Sequence, residues 1–199
     1  LRVMSVNDEA LMSAVREGDL AQLGPLFDRY HVPLFDFLSR MTGNRQVSED
    51  LVQEVFLRVL KYRGTYREGA RFGTWIFSIA RNVRTDYFSR RELAVPLSDE
   101  VLEAPDNSPG PEGATEMESE SGRLRAALMK LREDRRELLI LARYQCLKHE
   151  AIAELLGIDT GTVKVRVHRA LKELREIFLE MTERPSCDVK TSQRNLLII

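Results

Sequence analysis

From Glu92 to Gly122 the chain carries nine carboxylates and no lysine or arginine, while basic residues crowd both flanks. Pro96, Pro105, Pro109, Gly110, Pro111 and Gly113 are scattered among the acids. Such a composition buries too little apolar surface to offset the entropy of ordering, and it reads as an extended or disordered tether. The tether divides the chain into two modules. Its 199 residues suffice for two small domains, and a content of 43% hydrophobic and 31% charged residues is that of a globular protein. The formal net charge of -1 conceals the partition, because local patches rather than totals set the potential a partner meets.

Several function classes drop out early. Cys146 and Cys187 lack the dense spacing of a secreted disulfide framework, so free thiols in a reducing compartment are expected. No apolar run approaches the roughly 18 to 20 residues that span a bilayer, and Leu1 to Ala10 is too polar for a signal peptide. The expectation is a cytoplasmic protein with no membrane insertion of its own. No nucleophile–base pair, phosphate-binding loop or carboxylate cluster of metal-ligand spacing is present, so no enzyme and no cofactor is expected. Cys146 and His149 could form half a metal site, but without a second pair of ligands no metal is assigned.

The periodicity is helical throughout, which predicts an all-α fold of two small helical domains joined by the flexible acidic linker. Asp8 opens a short helix that Gly18 closes, and Asp19 caps a second, with a kink or restart at Pro33, that runs on to Gly43. A third helix is predicted from about Ser48 to Tyr62, with Leu51, Val52, Val55, Phe56, Val59 and Leu60 facing inward. On its outer side Asp50, Gln53, Glu54 and Leu57 fall at i, i+3, i+4 and i+7 and share one surface able to dock a partner. Arg63 to Gly73 reads as a loop, and Thr74 starts a fourth helix to about Arg91. Beyond the tether, helices are predicted near Gly122 to Leu131, Asp134 to Tyr144, Lys148 to Leu156 and Thr160 to Glu180.

The segment Glu150 to Arg169 has helix-turn-helix grammar. Ile152, Ala153 and Leu156 give the first helix an apolar face, Gly157 permits the turn and Ile158 plugs the angle between helices. Asp159 or Thr160 caps the second helix, whose Val163, Val167, Ala170, Leu171 and Leu174 face inward. Its other early residues are mostly polar or basic, as a major-groove reader requires. In the first half, Arg58, Lys61, Arg63, Arg67, Arg71, Arg81, Arg84, Arg90 and Arg91 interleave with Tyr62, Tyr66, Phe72, Trp75, Tyr87 and Phe88. Cations follow phosphates and aromatic faces stack bare bases, a mixture suited to single-stranded or flipped nucleotides. Trp75 at a helix start serves equally as a packing anchor, whereas Tyr66, in a loop, is the stronger candidate for stacking.

Together these stretches resemble the sigma factors of bacterial RNA polymerase, specifically the small extracytoplasmic-function (ECF) subfamily. The marks are Ser48 to Phe56 (SEDLVQEVF), Phe72 to Asn82 (FGTWIFSIARN) and Gly161 to Arg169 (GTVKVRVHR), in that order, within a similarity spanning about Asp19 to Phe178. The resemblance implies that residues 19–92 form sigma domain two, 93–122 the linker and 123–178 sigma domain four, between an N-terminal segment 1–18 and a tail 179–199. It implies core RNA polymerase, promoter DNA and an anti-sigma factor as partners. Asp50, Gln53, Glu54 and Leu57 would dock on the polymerase clamp, and Tyr66, Arg67, Trp75, Arg81, Asn82, Arg84, Asp86, Arg90 and Arg91 would hold the minus-ten strand. His149, Glu150, Thr162, Lys164, Val165, Arg166, His168 and Arg169 would read the minus-thirty-five duplex. Val165 stands where many relatives carry a small hydroxyl residue, and it can touch a thymine methyl but cannot donate a hydrogen bond. A stand-alone helix-turn-helix regulator would explain the second half as well but leaves the outer stripe of the third helix and the aromatic-basic loop without work. The end of the chain, including Leu196 to Ile199, reads as a disordered tail, a degradation signal or an inhibitor contact.

Overall fold

The computed structural model describes residues 7–94, 119–145 and 147–183, and the regular structure among them is helical. Helix α1 (Asp8–Glu17) begins where the Asn7 side chain accepts the Ala10 N–H at 2.9 Å and ends at Gly18, whose φ of 111° suits a residue without a Cβ. It buries Leu11, Met12 and Val15 in one apolar cluster with Leu26 and Phe37. Two acids fix it there. Asp8 accepts the Tyr30 hydroxyl at 2.7 Å and pairs with Arg29, while Glu9 accepts the Phe72 N–H at 3.3 Å, one of the donors a helix start leaves open.

A 3-10 turn (Leu20–Gln22) leads into α2 (Leu23–Thr42). Asp19 caps no backbone group; its carboxylate instead accepts the Gln22 side-chain amide at 3.0 Å. Of the kink or restart expected at Pro33, the restart is absent, since α2 continues through it. One lost hydrogen bond is outweighed by the burial of Leu26, Leu34, Phe37, Leu38 and Met41 along the same helix. Helix α3 (Arg45–Tyr62) starts a turn earlier than predicted because Asn44 accepts the Val47 N–H at 3.0 Å. Helix α4 (Phe72–Ala94) completes the first half.

In the second half, Ser119 accepts the Gly122 N–H at 3.1 Å and starts α5 (Glu120–Lys130), so the last residues assigned to the tether are helical. Helix α6 (Glu133–Leu139) runs into a π-helical turn (Ile140–Tyr144), followed by α7 (His149–Leu156) and α8 (Thr160–Glu183). Helix α8 thus absorbs residues 179–183 of the predicted tail. The expectations for Cys146, Cys187, the middle of the tether and the rest of the tail fall outside the described residues.

The two halves are in contact. Helix α4 packs on α7, and α2 packs on α5, α6 and the π turn, so that Phe37, Val55 and Ile76 share one apolar cluster with Leu139, Ile152 and Val163. Composition of a tether constrains how far apart two modules can move, but it carries no information on whether they meet. Among the described residues no helix is long and apolar enough to cross a membrane, and no group of ligating side chains could hold a metal ion.

Candidate nucleic-acid interface

The outer side of α3 presents Asp50, Gln53 and Leu57 to solvent, with Leu57 61% exposed. Glu54 is half-buried because it is engaged: Arg58 donates to it at 2.8 Å and to Asp86 of α4 at 2.7 Å. Burial alone would lower the Arg58 pKa, but the hydrogen bonds and charges of Glu54 and Asp86 override it and hold the guanidinium above its usual value. The bridge joins the α3 stripe to the basic side of α4, where Tyr87, Arg90 and Arg91 line the groove between the helices. Asp86 is therefore committed to holding α3 against α4.

On α4 and the loop before it, Arg67, Asn82, Arg90 and Arg91 are exposed. Tyr66 is not. Only 2% accessible, it stands edge-on to Trp75 and Phe72 at 5.2 and 6.2 Å, and its hydroxyl donates to the Ala70 carbonyl at 2.5 Å. Burial, with Glu9 and Asp8 nearby, pushes its pKa up to about 12. The expectation of an exposed stacking ring at Tyr66 is corrected: a loop residue between Gly64 and Gly69 has folded back into the core. Trp75, Tyr87 and Phe88 are half-buried, and Tyr62 is exposed.

Arg81 and Arg84 also depart from the expected free row of cations. Arg81 donates through Nε and Nη2 to the two carboxylate oxygens of Glu137, at 2.7 and 3.3 Å, and through Nη1 to the Leu155 carbonyl at 3.1 Å. Arg84, its side chain only 7% exposed, donates to Glu133 at 2.5 Å. Glu133 and Glu137 were not legible as site residues. The signal was a spacing match, i and i+4 acids on one helix against i and i+3 arginines on another, which has no meaning until the two helices are known to face each other.

In the helix-turn-helix, Asp159 is the cap, accepting the Thr162 N–H at 2.8 Å and its hydroxyl as well. These bonds lower the Asp159 pKa, so the cap holds above the ordinary carboxylate range and is lost as pH falls through the lowered value. Val163, Val167 and Ala170 are buried, while Lys164, Val165, Arg166, His168 and Arg169 face solvent, Val165 with half its surface. Glu150 is exposed and His149 half-buried at the start of α7. Gly157 joins α7 to α8 at φ 65°, and no atom lies within 4 Å of the place a Cβ would take there. Gly157→Ala is expected to cost about 1–2 kcal/mol from backbone conformation alone, read as a lower urea midpoint at unchanged slope.

The Sigma-70 region 2 family matches residues 26–93 and the Sigma-70, region 4 family residues 121–174. The RNA polymerase sigma factor CarQ of Myxococcus xanthus is 34% identical over 180 residues, 85% of this chain and 97% of that protein. The ECF RNA polymerase sigma factor ShbA of Streptomyces griseus is 36% identical over 183 residues, 84% and 93% of the two chains. The chain belongs to the ECF sigma factors. Like other sigma factors it directs core RNA polymerase to specific promoters and nucleates their melting. A stand-alone regulator is set aside, because region 2 is a sigma-factor element and occupies the first half. Among solved structures, this sigma factor is similar to RpoE of Bartonella quintana in complex with the anti-sigma factor NepR, with a TM-score of 0.65 and 26% identity over 79% of this chain and 96% of that one.

Proposed function

We propose that three surfaces divide the work of initiation. Asp50, Gln53, Glu54 and Leu57 dock on the polymerase clamp. Arg67, Trp75, Asn82, Arg90 and Arg91, with Arg81 and Arg84 once released, capture the minus-ten strand, while Asp86 positions α4 through Arg58 and Tyr66 supports the loop from within. Thr162, Lys164, Val165, Arg166, His168 and Arg169 of α8 read the minus-thirty-five duplex, with His149 and Glu150 beside them on α7. The division into residues 19–92 and 123–178 follows the same lines, with α1 added to the first unit. The observation that carries this reading is the segregation of α8 into a buried apolar row and an exposed basic row at the end that follows a tight turn. The mechanism is binding alone: base-pair stacking is exchanged for protein contacts. An anti-sigma factor such as the one bound to the Bartonella quintana relative would restrain the same surfaces.

Run-off transcription with purified core polymerase on a library of promoter fragments tests the assignment. New start sites should appear only when the chain is added, and their absence would sink it. Within active promoters, Lys164→Ala and Arg166→Ala are each expected to reduce the slope of log affinity against log salt by about 1, the signature of one lost phosphate contact. Filter binding of the polymerase complex over a salt series reads that slope.

A further inference from the structure

We propose that α1 positions the minus-ten loop: Glu9 and Arg16 hold the two ends of the segment 66–72 by its backbone, and so fix the place from which Arg67 meets the strand. The inference rests on the minus-ten role given to Arg67 above and assigns the placement of the loop to a helix that holds no DNA in that reading. Glu9, Met12 and Arg16 fall at i, i+3 and i+7, on one face of α1. Met12 is fully buried, and the charged residues on either side of it are half-buried against the loop. Arg16 Nη1 donates to the Tyr66 carbonyl at 3.3 Å, and Glu9 Oε1 accepts the Phe72 N–H at 3.3 Å. Both partners are backbone groups, so these bonds fix the path of the chain whatever side chains the loop carries.

Between those two points the loop is closed on itself. The Tyr66 N–H donates to the Arg63 carbonyl at 3.2 Å, and the Ala70 N–H to the Arg67 carbonyl at 3.1 Å across a turn with Gly69 at φ 78°. A turn shaped by its own bonds moves as a unit, so one outside anchor at each end sets its tilt against α4. The exit anchor is reinforced. Tyr30, whose hydroxyl donates to Asp8 at 2.7 Å, stands edge-on to Phe72 at 5.0 Å, and its oxygen lies 3.4 Å from the place a Cβ on Gly73 would take. Leu11 and Val15 fasten α1 to the apolar cluster independently of both anchors, so losing one anchor frees the loop without detaching the helix. Arg67 and Arg71 stand exposed on the segment so held. A side chain that must meet one base needs its support held to about 0.5 Å, and affinity falls when binding has to order the loop as well.

The test uses holoenzyme assembled from the full chain and core polymerase. The probe is a short labelled single strand copied from the melted region of a promoter found in the run-off library, with a set in which each base is replaced in turn. Glu9→Ala and Arg16→Ala should each weaken binding of the cognate strand about fivefold and narrow its advantage over the replaced strands, at unchanged affinity for core enzyme. Glu9→Gln, which keeps an acceptor for the Phe72 N–H, should restore both. The two alanine variants act at different ends of the segment, so loss of folding in one leaves the other decisive. Combination with Arg67→Ala gives a readout that a purely stabilising role does not move: once Arg67 is gone, removing an anchor should weaken binding by less than twofold. Full additivity in that cycle would overturn the inference and leave α1 a stabilising helix only. So would anchor variants within twofold of the parent in affinity and base preference while Arg67→Ala weakens binding, an outcome that keeps the minus-ten role of Arg67. If Arg67→Ala itself changes nothing, that role fails, and the inference falls with it.

Discussion

Tyr66→Ala is expected to lower the unfolding free energy by about 3–5 kcal/mol. The ring is 2% accessible, packed edge-on against Phe72 and Trp75, and its hydroxyl satisfies the Ala70 carbonyl. Its own carbonyl accepts from Arg16 of α1 at 3.3 Å, so the residue also ties the loop to the N-terminal helix. Truncation removes the aromatic contacts and leaves a cavity at the meeting point of α1, α4 and the loop, and the Ala70 carbonyl loses its partner. Tyr66→Phe isolates the hydroxyl and should cost about 1 kcal/mol. Urea denaturation distinguishes this from a binding role. A stacking residue would leave the midpoint unmoved and weaken only the DNA complex, whereas a core residue moves the midpoint and lets DNA capture recover wherever the variant is folded. Against a total stability of about 5–15 kcal/mol, the alanine variant stands near the limit of folding.

Tyr66 also marks where the sequence stops being informative. Elements with strong periodicity and clear ends were legible: the inward row of α3 except the half-buried Leu60, the turn at Gly157 and the alternation of buried and exposed residues along α8 stand where the spacing put them. Those patterns are local, set by 3.6-residue repeats and by single positions with special backbone angles. An aromatic in an irregular loop has no period to read, and whether it turns in or out depends on groups far along the chain, here Arg16, 50 residues away. The restart offered at Pro33 fails for a related reason: the helix-breaking tendency is local and about 3 kcal/mol, while the burial that keeps the helix continuous comes from partners on other helices. The pairing of Arg81 with Glu137 spans 56 residues and the whole tether, so no window of sequence contains both its partners and a reason for them to meet.

Asp50→Arg and Asn82→Ala should fail in opposite ways. Asp50 is exposed on α3, so reversing its charge leaves the fold within about 0.5 kcal/mol while placing a cation at the first position of the stripe shared with Gln53, Glu54 and Leu57. If that stripe docks on polymerase, the reversal should weaken the complex with core enzyme by about 100-fold, near 2.7 kcal/mol, since a like charge against a complementary partner costs several kcal/mol at most. Asn82 is exposed on α4, and alanine is the better helix former there, so folding should be unharmed or slightly improved. What alanine removes is an amide able to donate to and accept from a base edge, about 1–2 kcal/mol in strand capture, or a five- to thirtyfold loss of open complexes at unchanged polymerase affinity. Pull-down of core enzyme and permanganate footprinting of the melted region measure the two quantities separately. Equal loss of both in each variant would mean that the α3 stripe and the α4 face are one surface rather than two, joined by the same Glu54, Arg58 and Asp86 bridge that holds the helices together.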